Sequence, residues 1–208
     1  METTDAGTRE RLLEAAIAVV DEHGVEGIRV REIAASANVR EPSVYHYFGS
    51  REGLVEAVEA ARFSRDLKQI TNLFSTAVTQ CASKEEFLAL CRRVISATET
   101  PQRQQVRAVR ASVFGSAQSR PALAEQISAA QLELDKDLAK GFDIAKVKGL
   151  VRPDLDSVTY AAWLSSLVNG RIILEMNLSA YSEASWSTLT EQAVLFGLGY
   201  VNDEPTWN

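Results

Sequence analysis

The chain has 208 residues, of which 46% are hydrophobic and 24% charged, and its formal net charge is −6. This composition is typical of one or two globular domains, and the acidic balance argues against a protein that is coated with nucleic acid. The polar N-terminus lacks the apolar segment of a signal peptide, and polar and charged residues interrupt the most apolar stretch. We therefore expect a cytoplasmic protein with no membrane span, in which Cys81 and Cys91 are free buried thiols.

Helix-forming residues are plentiful and hairpin signals are scarce, so the predicted fold class is all-α. Apolar spacing and stop residues divide the N-terminal part of the chain into four helices. They are predicted at residues 8–23, 30–37, 42–48 and from 51 onward, with Gly24, Asn38, Gly49 and Ser50 at their ends. Further helices are predicted at residues 62–80, 84–98, 102–117, 121–148, 154–178 and 184–202.

The segment VREPSVYHYFGSRE, residues 39–52, carries the functional signal. It belongs to two short helices joined by a tight turn, the helix-turn-helix arrangement whose second helix can enter the major groove of DNA. Val44 and Phe48 are four residues apart and are expected to face inward, so that Ser43, Tyr45 and His46 project outward, with Tyr47 between the two faces. Hydroxyl and imidazole groups can bond phosphates and base edges. The alternative is an aromatic cluster that only stabilises a small helical module.

From about Arg9 to Val58 the sequence resembles the TetR family of bacterial transcription regulators. The matching positions are Ala16, Gly24, Ile33-Ala34, Val39, Tyr45, Tyr47-Phe48, Arg51-Glu52 and Leu54. The resemblance implies an N-terminal DNA-binding domain over residues 1–50, with the fourth helix connecting it to a larger helical domain over residues 51–208. That second domain is expected to bind a small-molecule effector and to dimerise. The implied function is a dimeric regulator, a repressor released by its effector, on a palindromic operator.

The sequence departs from the family pattern at four positions. Arg29 and Arg40 stand where the family usually has the helix-capping residues Thr and Ser, and Glu41 and Pro42 stand where Lys and Gly are frequent. Each lost cap costs about 0.5–2 kcal/mol, so we hypothesise that both arginines compensate by reaching DNA. The alternative is that they are tolerated surface residues. The predicted DNA-binding residues are Arg29, Arg40, Glu41, Ser43, Tyr45, His46, Tyr47 and Arg51.

Charge within the N-terminal region is unevenly distributed. Four arginines face two glutamates between residues 29 and 51, whereas the longer segment from Met1 to Lys68 contains more acidic than basic side chains. We therefore expect weak non-specific DNA affinity and a shallow dependence of affinity on salt.

The sequence of the C-terminal half gives less evidence about function. The apolar helices within residues 154–201 carry small residues and are predicted to form the homodimer interface, although they could instead be monomer core. Candidate effector-binding residues, each of which could also be plain core, are Phe87, Cys91, Phe114, Tyr160, Trp163 and Leu167. Burial of Arg107 or Arg110 would suggest an anionic effector, and exposure a solvated face.

Two other classes of function compete with the regulator. An enzyme is disfavoured because the sequence contains only two histidines and no recognisable catalytic motif, so no catalytic residue, metal ligand or cofactor is predicted. A helical interaction protein that has lost sequence-specific DNA binding is the second alternative. The acidic N-terminal domain and the Glu41-Pro42 departure are the features that favour it.

Overall fold

Helices make up most of the computed structural model, which describes residues 5–64 and 67–206. The predicted all-α class is confirmed. None of the described helices is at once long and apolar enough to cross a bilayer. The α-helices are α1 (Asp5–His23), α2 (Val30–Ser36), α3 (Glu41–Phe48), α4 (Arg51–Ser64), α5 (Leu67–Gln80), α6 (Lys84–Ala97), α7 (Pro101–Ala117), α8 (Pro121–Val147), α9 (Ser157–Gly170), α10 (Ile172–Glu175) and α11 (Glu183–Leu198). Single turns of 3-10 helix occur at Val25–Gly27 and Leu178–Ala180, and β1 (Tyr200–Val201) pairs antiparallel with β2 (Glu204–Pro205).

The ends of the first helices follow the signals in the sequence. α1 ends before Gly24, whose φ is 70°, and α3 ends before Gly49, whose φ is 72°. Asn38 adopts the predicted left-handed conformation, with a φ of 55°. The Ser50 hydroxyl oxygen accepts a hydrogen bond from the Gly53 amide at 2.9 Å, which confirms Ser50 as the cap of α4.

Later helices differ from their predicted spans. The helix predicted at residues 184–202 ends at Leu198, because Gly199 has a φ of 102° and the β1–β2 hairpin follows it. The helix predicted at residues 154–178 is interrupted at Arg171, which separates α9 from α10. Arg171 keeps helical torsions, and the residue before it, Gly170, is the last residue of α9. The predicted helix 62–80 covers the end of α4 and all of α5, and residues 65 and 66 between them lie outside the described residues.

The first compact unit contains α1 to α4 and residues 113–127, which form the end of α7 and the start of α8. Its core includes the fully buried side chains of Leu12, Val44, Leu54 and Val58. Because α2 and α3 have only seven and eight residues, they depend on packing against α1 and α4 for stability. Leu54 and Val58 make α4 part of this core, and the domain division between residues 50 and 51 stays a prediction.

A buried ion pair joins α4 to the turn between α7 and α8 within this unit. The side chain of Glu59 is only 1% exposed, and its Oε2 accepts a hydrogen bond from Arg120 Nη1 at 2.7 Å. Arg120 Nε also lies 2.7 Å from Oε1 of Glu52, whose side chain is half exposed. Because an unpaired buried carboxylate is costly, Arg120 holds the turn against α4.

The second compact unit contains residues 67–112 and 128–206 and has its own apolar core. Phe142 and Tyr160 lie in this core, with their ring centroids 5.0 Å apart. The Tyr160 hydroxyl donates a hydrogen bond to the Val194 carbonyl at 2.6 Å, which ties α9 to α11. The two helices approach closely because residue 197 is glycine: a Cβ at Gly197 would lie 2.5 Å from Tyr160 Cε2.

We expect Arg120→Met to destabilise the protein by about 3 kcal/mol, because it leaves the Glu59 carboxylate buried without its cation. Chemical unfolding monitored by circular dichroism measures the loss. The double variant Arg120→Met/Glu59→Leu should recover most of it, since both charges are then absent. Glu52→Gln is the matched control: it removes the exposed partner of the same arginine and should cost less than about 1 kcal/mol. Equal losses for Arg120→Met and Glu52→Gln would contradict this account.

Candidate nucleic-acid interface

α2 and α3 form a helix-turn-helix unit. Residues 37–40 join the two helices, and the Val39 amide donates to the Ala34 carbonyl at 2.9 Å, which closes the turn. Val44 is fully buried and Ile33 is 1% exposed, so α3 is fixed to the unit along one side. The opposite side of α3 faces solvent. This geometry is that of a recognition helix presented for the major groove.

The four consecutive aromatic residues of α3 divide between two environments. Tyr45 is 46% exposed and His46 is also exposed, whereas Tyr47 and Phe48 are half-buried and pack against the core. The His46 and Tyr47 rings meet edge to face, with centroids 4.9 Å apart. Tyr47 thus lies between the buried and the exposed side of α3, as predicted. Tyr45 and His46 provide the polar atoms on the exposed side.

The N-termini of α2 and α3 carry arginines in place of capping side chains. Arg29 and Arg40 occupy the N-cap positions of α2 and α3 in extended conformation, and neither side chain caps its helix. Arg29 Nη1 donates instead to the carbonyls of Glu26 and Ile28, at 2.6 and 3.2 Å. The Arg40 carbonyl accepts a hydrogen bond from the Ser43 amide at 2.9 Å, but its exposed side chain makes no hydrogen bond or ion pair with any described residue. Arg29 therefore stabilises the loop that precedes it, whereas Arg40 is directed entirely to solvent.

The remaining predicted DNA-binding residues differ in accessibility. Glu41 is exposed, and Ser43 and Arg51 are half-buried. Arg51 directs Nε towards the Ile28 carbonyl at 3.4 Å and Nη2 towards the Val25 carbonyl at 3.5 Å. Much of its donor capacity is therefore directed into the unit.

Six arginines of the first unit fall into two groups with different electrostatic surroundings. Arg62 pairs with Asp21 at 2.8 Å, and Arg120 pairs with Glu52 and Glu59. The other group comprises Arg9, Arg29, Arg31 and Arg40, which are exposed and have no carboxylate partner among the described residues. Arg9 was not among the residues predicted from the sequence. Its guanidinium lies over the Phe48 ring, 5.3 Å from the centroid, and no local sequence pattern indicates this contact between α1 and α3.

The predicted effector-binding residues lie in different environments. Phe87, Cys91 and Tyr160 are buried in the core of the second unit, Leu167 packs against that core, and Trp163 is 40% exposed. Burial raises the pKa of the Cys91 thiol to about 12, as expected for an unreactive core cysteine. Phe114 belongs to the first unit and packs edge to face on Phe63, with centroids 5.3 Å apart.

Arg107 and Arg110 are both buried, and each is hydrogen-bonded to other residues of the second unit. Arg107 forms a two-point ion pair with Glu175 and donates to the Thr98 carbonyl at 2.6 Å. Arg110 donates to the side-chain oxygens of Asn169, at 3.0 Å, and Gln131. Desolvation lowers the pKa of Arg110 to about 10, so it stays protonated at neutral pH. The burial is therefore not in itself evidence for an anionic effector.

α9 and α11 leave an apolar surface on the second unit. A groove of about 540 Å³ between them includes Tyr160, Trp163, Phe196 and Gly197 in its lining. Phe196 is 67% exposed, and other exposed apolar side chains lie on α10, just after it, and on α11. They are Ile173 (73% exposed), Met176 (82%) and Leu189 (64%).

Comparisons with known proteins bear on the N-terminal region most directly. Residues 12–58 match the family of bacterial regulatory proteins, tetR family. The chain is 29% identical over 89 residues to the "Probable HTH-type transcriptional regulator YttP" of Bacillus subtilis, covering 43% of this chain and 42% of that protein. It is 39% identical over 49 residues to the HTH-type transcriptional regulator BetI of Burkholderia thailandensis, covering 24% of this chain and 25% of that protein. The matches thus span less than half the length of these curated relatives.

The fold likeness extends further than the sequence likeness. A solved structure of a TetR-family transcriptional regulator candidate from Mesorhizobium loti aligns with a TM-score of 0.68 at 20% identity, covering 95% of this chain and 98% of that chain. At this identity the likeness concerns the fold alone. The match over the helix-turn-helix leads to one assignment: residues 12–58 of the chain form a helix-turn-helix region of the tetR family of bacterial regulatory proteins.

Proposed function

We propose that the protein is a homodimeric transcriptional repressor that binds a palindromic operator and is released by a small-molecule effector. The observation that carries the proposal is the exposed polar side of α3, held outward by the burial of Val44. The curated relatives are named as transcriptional regulators. We therefore propose action by binding and not by catalysis.

Recognition of DNA is assigned to α3 and the helix starts beside it. Ser43, Tyr45 and His46 provide hydroxyl and imidazole groups for phosphates and base edges, with Tyr47 beside them. Glu41 can accept a hydrogen bond from a cytosine amino group, which fits a carboxylate at the start of a recognition helix. Arg40 is proposed to contact a base or phosphate, whereas Arg29 and Arg51 retain fewer free donors for a phosphate.

Dimerisation is assigned to the exposed apolar surface of α9, α10 and α11. A surface containing Trp163, Ile173, Leu189 and Phe196 is unfavourable in water, and small residues such as Ser166 and Gly170 on the same helices permit close approach. A two-fold dimer would present two recognition helices to successive major grooves, about 34–36 Å apart on a palindromic site.

The effector is proposed to bind the second unit, where Phe87, Cys91, Tyr160, Trp163 and Leu167 remain candidate contacts. Their burial in or next to the apolar core favours an effector with a substantial apolar portion. The effector would act by favouring one spacing of the two DNA-binding units over another.

Arg40→Ser tests the DNA-binding proposal at its most unusual position. Selection from random duplexes should enrich a palindrome for the wild-type protein, and Arg40→Ser should bind that duplex about tenfold more weakly. Serine restores a helix cap worth about 1 kcal/mol, so the loss cannot be attributed to a less stable α3. Arg93→Ser, which removes an exposed arginine of the second unit, is the control and should bind like wild type.

Two outcomes would contradict this assignment. No enrichment of any duplex by the wild-type protein would favour a helical interaction protein that has lost DNA binding. Unchanged affinity, sequence preference and salt dependence in Arg40→Ser would make Arg40 a tolerated surface residue.

Phe196→Glu tests the dimer. We expect the wild type to sediment as a dimer at micromolar concentration and Phe196→Glu as a monomer, because the variant would bury a charge in the proposed interface of which the exposed Phe196 is part. Leu73→Glu is the matched control, since Leu73 is 63% exposed on α5 and its replacement should leave the dimer intact. A wild-type protein that sediments as a monomer would contradict the proposal.

A further inference from the structure

Arg9 is a cation placed beside the recognition helix by a helix other than the helix-turn-helix pair. It lies on α1, is exposed, and its guanidinium carbon is 5.3 Å from the centroid of the Phe48 ring. Phe48 is the last residue of α3 and packs against the core of the first unit. The aromatic face therefore restrains Arg9 at the C-terminal end of α3.

The electrostatic surroundings of Arg9 are unusual for this unit. Acidic residues outnumber basic ones between Met1 and Lys68, and Arg62 and Arg120 are neutralised by carboxylates. Arg9 nevertheless has no carboxylate partner among the described residues, and its described contact is a ring that leaves all five N–H donors available. Stacking restrains the side chain before it binds, which lowers the entropy lost when it meets an anion.

The ends of α3 therefore carry one guanidinium each. Arg40 precedes the N-terminus and Arg9 lies at the C-terminus. An eight-residue helix is about 12 Å long, close to the roughly 12 Å width of the major groove. A helix of this length lying across the groove would bring a cation beside each of its ends towards one of the two sugar-phosphate strands.

We propose that Arg9 is a further DNA contact of this protein, donating to a backbone phosphate at the edge of the groove that α3 enters. The inference rests on the proposed DNA-binding function and adds a contact that reads no bases. Arg9 thus contributes affinity and orientation, while sequence preference is left to α3 and Arg40.

The test compares Arg9→Met with Arg9→Lys on the duplex selected by the wild-type protein and on an unselected duplex. Methionine keeps a favourable contact with the Phe48 ring but removes the charge, and lysine keeps the charge. Fluorescence anisotropy over about 50–200 mM salt gives affinity and its salt dependence. Arg9→Met should lower affinity about three- to tenfold on both duplexes and reduce the salt slope by about 1, whereas Arg9→Lys should keep the wild-type slope.

Arg93→Met and thermal unfolding are the controls. Arg93→Met removes the same charge from an exposed position in the second unit and should leave the salt slope unchanged. A wild-type slope in Arg9→Met, or a loss of affinity that follows only a lowered unfolding temperature, would assign Arg9 a structural role and overturn the inference. If the wild type selects no duplex at all, the proposed function itself fails, which is a distinct result.

Discussion

The orientation of the exposed side of α3 depends on the packing of Val44 in the core of the first unit. Consecutive residues of a helix point about 100° apart, so fixing one side of an eight-residue helix fixes every other side chain on it. With Val44 at 0% exposure, Tyr45 and His46 face solvent and Phe48 returns towards the core. α3 is too short to be stable alone, and thus the same apolar contact provides both its folding and its orientation. The outward polar atoms are a consequence of packing on α1 and α4.

Local signals explain why the N-terminal quarter could be predicted closely. Gly24, Asn38 and Gly49 each adopt positive φ, which few other residues tolerate, and they mark three boundaries that the sequence displays directly. The later chain offers fewer such marks. Arg171 interrupts a helix while keeping helical torsions, and the β1–β2 hairpin beyond Gly199 contains only two residues in each strand. Neither feature changes the apolar periodicity from which the helices were predicted.

The candidate sites were predicted unequally for a related reason. The residues on the exposed side of α3 follow from the spacing of side chains within one helix. The exposure of Tyr45 and His46 could therefore be predicted from the sequence. Placement of Phe114 depends on which unit the end of α7 joins, and placement of Arg9 depends on a contact between α1 and α3. Such tertiary contacts link positions far apart in the chain and produce no periodic pattern in the sequence. The same holds for the buried Arg107 and Arg110, whose partners Glu175 and Asn169 lie on other helices, distant in the sequence.

The buried carboxylate of Glu59 restricts how the first unit can change shape. α7 and α8 each contribute residues to both compact units, and the turn between them belongs to the first. Arg120, in that turn, lies 2.7 Å from Glu59, and separating them would leave a carboxylate of 1% exposure without its counter-ion. Because that state costs several kcal/mol, a displacement of the turn that kept α4 in place would be resisted. The turn and α4 should therefore move together, and since α4 shares the core that contains Val44, any such motion bears directly on α3.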